Sequence, residues 1–137
     1  MESRRIYCAG ASTYHYADEV PPSLRSFIDY QFSSGGVIGE DFRSFNTKYR
    51  NAIKTRLPKG YLILNWTRGH YFCSWVIKTP DNKYIHMCIS DVRFLQNEWF
   101  SNILIRTMRH PKDWTGGPNR ITTLFTMKED IQKLWRC

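Results

Sequence analysis

The chain has 137 residues, 42% hydrophobic and 23% charged, proportions that exclude whole-chain disorder and suit a single domain, 1–137, able to bury a core without disulfides or metals. Cysteines stand at 8, 73, 88 and 137 with no CxxC pair, and no apolar run is long enough for a signal segment or a membrane span. Reduced thiols in a cytoplasmic protein, with no cofactor, no metal and no membrane partner, are therefore expected. The formal charge of +8 is unevenly spread: residues 1–42 hold three basic and six acidic residues, and the remainder 17 basic and six acidic. That asymmetry points to an anionic partner for the later part of the chain.

In chain order, RRIYCA suits an edge strand. Pro21-Pro22-Ser23 then predicts a helix start, with Leu24, Phe27, Ile28 and Gln31 or Phe32 at helical spacing and Gly35-Gly36 as its end. EDFRSFNTKYRNAIKTRL, residues 40–57, is a stronger helix: Phe42, Phe45, Tyr49, Ala52 and Ile53 form one stripe, and Arg43, Arg50 and Lys54 recur on the outward face. Glu40 and Asp41 in the first turn, with Lys54 and Arg56 in the last, match the helix dipole. Pro58-Lys59-Gly60 stops it.

From Tyr61 the period changes to two, and YLILNW, HYFCSWVIK and KYIHMCIS predict three consecutive antiparallel strands. The link TPDN suits a type I turn closed by a left-handed Asn82, which sets Thr79 opposite Lys83, Ile77 opposite Ile85, Trp75 opposite Met87 and Cys73 opposite Ile89. A two-residue Arg68-Gly69 turn would pair Trp66 with Tyr71, Leu64 with Cys73 and Leu62 with Trp75, giving all three strands one apolar face.

Beyond Asp91, FLQNEWFSNILIRTMRH places Trp99, Phe100, Ile103, Leu104 and Met108 on a helix, with a strand over ILIRTM as the alternative. HPKDWTGGPN is a loop, RITTLFT a strand, and Thr126 with Glu129 a capping box before a last helix, KEDIQKLW. The expected fold class is α+β: a mainly antiparallel sheet, built of a three-strand meander plus a later strand, with helices packed on one face.

The face opposite the expected core carries His70, Phe72, Ser74 and Val76 from one strand and His86, Cys88 and Ser90 from the next. His70 and Cys88 are four strand residues apart, about 13 Å at roughly 3.3 Å per residue, too far for a base to activate a thiol. His86 and Cys88 supply two metal ligands but no second pair completes a site. GHYFCSWVIKTPDNKYIHMCISDV, residues 69–92, resembles the histidine-bearing strand pair of papain-like cysteine peptidases, especially the ubiquitin-specific type. The resemblance implies a thiol hydrolase with Cys8 as nucleophile, His70 as base and Asp91 as the orienting acid. Such peptidases present the cysteine at the start of a long buried helix, whereas no apolar helical pattern follows Cys8.

The composition favours binding instead. Arg43, Lys48, Arg50, Lys54, Arg56, Lys59 and Arg68 supply seven positive charges within 26 residues, and Arg106, Arg109, Lys112 and Arg120 surround Trp114. With His70 at the hairpin, such a surface neutralises phosphates while aromatic rings stack on unpaired bases. The expected function is that of a non-enzymatic binding protein for nucleic acid or an acidic nucleoprotein surface. Small aromatic-rich proteins without enzyme motifs also suit the format of phage or mobile-element inhibitors, anti-CRISPR proteins among them.

Overall fold

A computed structural model describes residues 5–8, 13–28, 32, 40–68, 72–92, 98–113 and 116–134. The fold is α+β. Its organising element is helix α1, Glu40–Arg56, whose stripe of Phe42, Phe45, Tyr49, Ala52 and Ile53 is buried as the helical period requires. Against it lies a five-stranded antiparallel sheet of β3 (Leu62–Arg68), β4 (Cys73–Lys78), β5 (Tyr84–Ile89), β6 (Ile103–Met108) and β7 (Arg120–Thr122), paired in chain order. A separate two-stranded sheet joins β1 (Arg5–Cys8) to β2 (Thr13–Tyr16); β2 was not expected from the sequence. Two short α-helices, α2 (Glu98–Ser101) and α3 (Met127–Gln132), complete the order.

The aromatic excess is spent on the α1 side of the sheet. The Phe45 ring lies 5.3 Å from Phe27, 5.3 Å from Phe32, 5.2 Å from Tyr49 and 5.5 Å from Trp99. Tyr49 meets Trp75 edge-on at 6.0 Å. Offset and edge-to-face ring pairs add to the stabilisation that comes from area burial alone.

The β4–β5 hairpin forms as its turn chemistry dictates. Thr79 N–H donates to the Lys83 carbonyl at 2.9 Å, Asn82 adopts φ 63°, and Ile77, Trp75 and Cys73 pair with Ile85, Met87 and Ile89. The β3–β4 register differs from expectation. Leu62 pairs with Lys78, Ile63 with Ile77 and Leu64 with Val76, while Arg68 pairs with Cys73, so the connection is longer than the two-residue Arg68-Gly69 turn. A β-bulge then shifts the pairing by one further residue and turns Leu62 and Leu64 off the expected face: Asn65 and Trp66 together oppose Trp75, and Asn65 sits at φ 50°. The extra residue lets Ile63 and Trp66, three apart, both pack towards α1, where Trp66 stacks on Trp75 at 4.4 Å. Leu62, expected in the core, is 58% exposed.

Other expectations are corrected too. Pro22–Phe27 is a 3-10 helix, closed by bonds from Leu24 N–H to Pro21 and from Ile28 N–H to Arg25; the three-residue spacing of Leu24 and Phe27 serves that tighter period. Its expected end at Gly35-Gly36 lies outside the described residues. The long helix beyond Asp91 is α2 followed by strand β6, because Ile103 and Ile105 alternate into the core with Leu104 and Arg106 on the other face. The capping box at Thr126 does not form with Glu129: Thr126 Oγ1 donates to Asp130 Oδ2 at 2.8 Å, and Thr122 Oγ1 reaches the same oxygen at 2.6 Å. Among the described residues, no helix is long and apolar enough to cross a membrane.

Candidate functional site

Strand β3 is an edge of the sheet, and α1 runs beside it. Between them lies a groove of about 410 Å³, lined by Asn46, Thr47, Arg50, Asn51 and Lys54 from α1 and by Tyr61, Leu62 and Ile63 from the start of β3. The helical residues fall at i, i+4 and i+8 and at i+1 and i+5, so one stripe supplies the whole polar wall. Its counterpart is apolar. An extended anion with a less polar side fits this pairing of two cations opposite Tyr61, Leu62 and Ile63.

The groove is held by its neighbours. Asn46 Oδ1 accepts from Trp66 Nε1 at 2.9 Å and from Cys73 Sγ at 3.1 Å, tying α1 to β3 and β4. The Arg50 guanidinium stands 6.0 Å from the Trp66 ring, a cation-π geometry that keeps a mobile side chain near the groove. Lys48 lies similarly over Phe27, at 5.7 Å.

A second cavity, of about 430 Å³, opens on the sheet face away from α1. It is lined by Asn65, Trp66 and Thr67 at the bulge, by Ser74, Trp75, Val76 and His86 from β4 and β5, and by Pro111 and Lys112 from the loop after β6. That loop is pinned by Asp113, 2% exposed, whose carboxylate accepts Arg109 N–H at 2.8 Å and Arg109 Nε at 3.0 Å. Buried Arg106 donates from Nη2 to the Asp113 carbonyl at 3.0 Å. Burial, and then the charge of Arg106, hold the His86 pKa below the ordinary histidine value. Burial likewise pushes the Cys88 thiol up, against the pull of Arg106.

The sequence-predicted residues therefore fall into separate places. Arg50 and Lys54 share the groove; Arg43, Lys48 and Arg56 lie elsewhere on α1. Lys112 borders the second cavity. Arg109 is engaged by Asp113, whose hydrogen bonds raise its pKa. Arg120, exposed on β7, is at the opposite edge of the sheet from β3, four strand spacings or about 19 Å away. Arg68 closes β3 opposite Cys73, while His70 and Trp114 lie outside the described residues. Of the residues implied by the peptidase resemblance, Cys8 pairs with Thr13 inside β1–β2, and Asp91 follows β5.

Sequence reasoning missed Asn46, Thr47, Asn51 and Asn65. The first three were within reach, because extending the Arg50–Lys54 stripe by the helical period passes through them. Asn65 carried no signal beyond its suitability for a left-handed backbone. Compared with protein-family models, with curated proteins and with solved structures, the chain has no match.

Proposed function

We propose that this protein is a non-enzymatic binding protein that engages nucleic acid along the groove between α1 and β3. The observation that carries the reading is the convergence of Arg50 and Lys54 on one groove wall, opposite Tyr61, Leu62 and Ile63. Phosphates would meet the two cations, and sugars or bases the apolar side. The unequal charge of the chain, 17 basic against six acidic residues after residue 42, supports the same polarity of partner.

The test is affinity for single-stranded and duplex DNA and RNA, measured between about 50 and 200 mM salt. Reversing both charges, Arg50→Glu with Lys54→Glu, weakens binding and flattens the salt dependence by about 0.7 to 0.9 logarithmic units per lost phosphate contact. Both side chains are exposed, so circular dichroism of the double variant stays unchanged. Unaltered affinity in that variant refutes the site. Tight binding to a protein, with no affinity for nucleic acid at any salt, would replace this reading with that of an inhibitor of a nucleoprotein enzyme.

A further inference from the structure

The groove on the α1 side and the second cavity on the other face flank the same edge strand: the groove lining ends at Ile63 and the cavity lining begins at Asn65, about 7 Å further along β3, so a ligand in the groove reaches the cavity by crossing that edge. We propose that the cavity receives one unpaired nucleobase, so that the ligand is a single strand whose phosphates run along Arg50 and Lys54. This rests on the function proposed above and adds to it the kind of strand bound and the place where a base is held.

The lining has the chemistry of a base pocket. Val76 is buried on this face of the sheet and Pro111 lies on the loop side, giving apolar surfaces for a flat ring. Around them stand Asn65, Thr67, Ser74 and His86, an amide, two hydroxyls and an imidazole, which together offer both donors and acceptors to a base edge. The lowered His86 pKa favours its neutral ring, so it presents an uncharged face. Lys112 supplies a cation at the rim, and among the described residues no lining residue is acidic.

The pocket is also preorganised. Asp113, Arg109 and Arg106 fix the loop that carries Pro111 and Lys112, and the bulge fixes Asn65 on the opposite wall. A site held rigid before binding loses less entropy when the ligand arrives. Between a sheet floor and a loop, a base must leave its stack to enter, which disfavours a duplex.

The experiment compares five probes of equal length at one salt concentration: single-stranded DNA, single-stranded RNA, each of those two strands with its bases removed at successive abasic positions, and duplex DNA. Wild-type protein is expected to bind a base-bearing single strand about five- to a hundredfold more tightly than the abasic strand, and more tightly than the duplex. Ser74→Phe, which fills the cavity from its floor, abolishes that difference while leaving the salt dependence unchanged. His86→Ala, which enlarges the cavity without filling it, reduces the difference and guards against misfolding of the first variant. A base-dependent difference in either DNA or RNA supports the pocket, and the strand that shows it identifies the sugar. Equal affinity for base-bearing and abasic strands overturns the pocket; if Arg50→Glu with Lys54→Glu still weakens both, the groove survives. No affinity for any probe overturns both.

Discussion

The two faces of the five-stranded sheet are built by different physics. Towards α1, Cys73, Trp75, Ile77, Ile85, Met87 and Ile89 form a continuous buried surface filled by rings, where many weak contacts add and no single direction matters. On the other face, Ile121 remains exposed at the β7 edge, and order near β6 depends on a few directed bonds to Asp113. The first face can make a stable fold. The second, half-covered and polar, can present a binding surface because its groups are positioned without being filled in.

That contrast is broken most severely from the ring side. Phe45→Ala removes the ring that touches Phe27, Phe32, Tyr49 and Trp99 and is expected to cost about 3–5 kcal/mol, read as a lower denaturation midpoint. A loss below about 1 kcal/mol would mean that the cluster repacks, an outcome reserved for volume-conserving changes in close-packed cores.

Asp113→Ala attacks the other face. The Arg109 side chain is largely exposed and regains water, so the loss comes chiefly from the Arg109 N–H and the loop it anchors. An effect of about 1.5–3 kcal/mol is expected, with faster hydrogen exchange across residues 109–117 and unchanged protection in α1. Equal acceleration in α1 would show that the two faces unfold as one unit.

The difference between the faces also decides what is legible in the sequence. The α1 stripe and the β4–β5 pairing follow from periodicity and from the TPDN turn, each a local pattern that burial reinforces. The β3 register fails because the connection to β4 is longer than two residues and a strict period of two cannot contain a bulge: Leu62 and Leu64 look like core residues until Asn65 adds one residue and turns Ile63 inward, while Trp66 keeps its expected side. ILIRTM misleads differently, since both of its faces carry apolar residues and Arg106 is buried. As for the candidate site, Arg50 and Lys54 are visible as charges on one stripe. Their partners across the groove and the wall formed by Lys112 are brought near only by tertiary structure, which no local pattern encodes.

The bulge itself can be tested more finely. Asn65→Val places a β-branched side chain at φ 50° and should destabilise by about 1–2 kcal/mol, whereas Asn65→Gly relieves the same conformation and leaves the midpoint near wild type. If valine is tolerated as well as glycine, the left-handed residue is not what holds the bulge.

The smallest effect expected is a dependence of stability on pH that belongs to the open face alone. His86 is half-buried beside Arg106 of β6, Cys88 follows on its own strand, Ser74 and Val76 of β4 are uncharged, and Lys112 borders the cavity from the loop. Burial and the positive charge of Arg106 disfavour the imidazolium, so the folded-state pKa lies below the ordinary 6.5. The unfolded chain then binds a proton more readily than the folded one. Stability from this residue is therefore complete above the ordinary histidine value and is lost as pH falls through the folded-state value. Denaturation midpoints measured on the acid side of neutrality should decline more steeply for the wild type than for His86→Gln, whose amide does not titrate. Parallel curves for the two proteins would place the acid sensitivity elsewhere. Converging curves at low pH would locate it on the sheet face that carries the proposed pocket, apart from the ring-packed core.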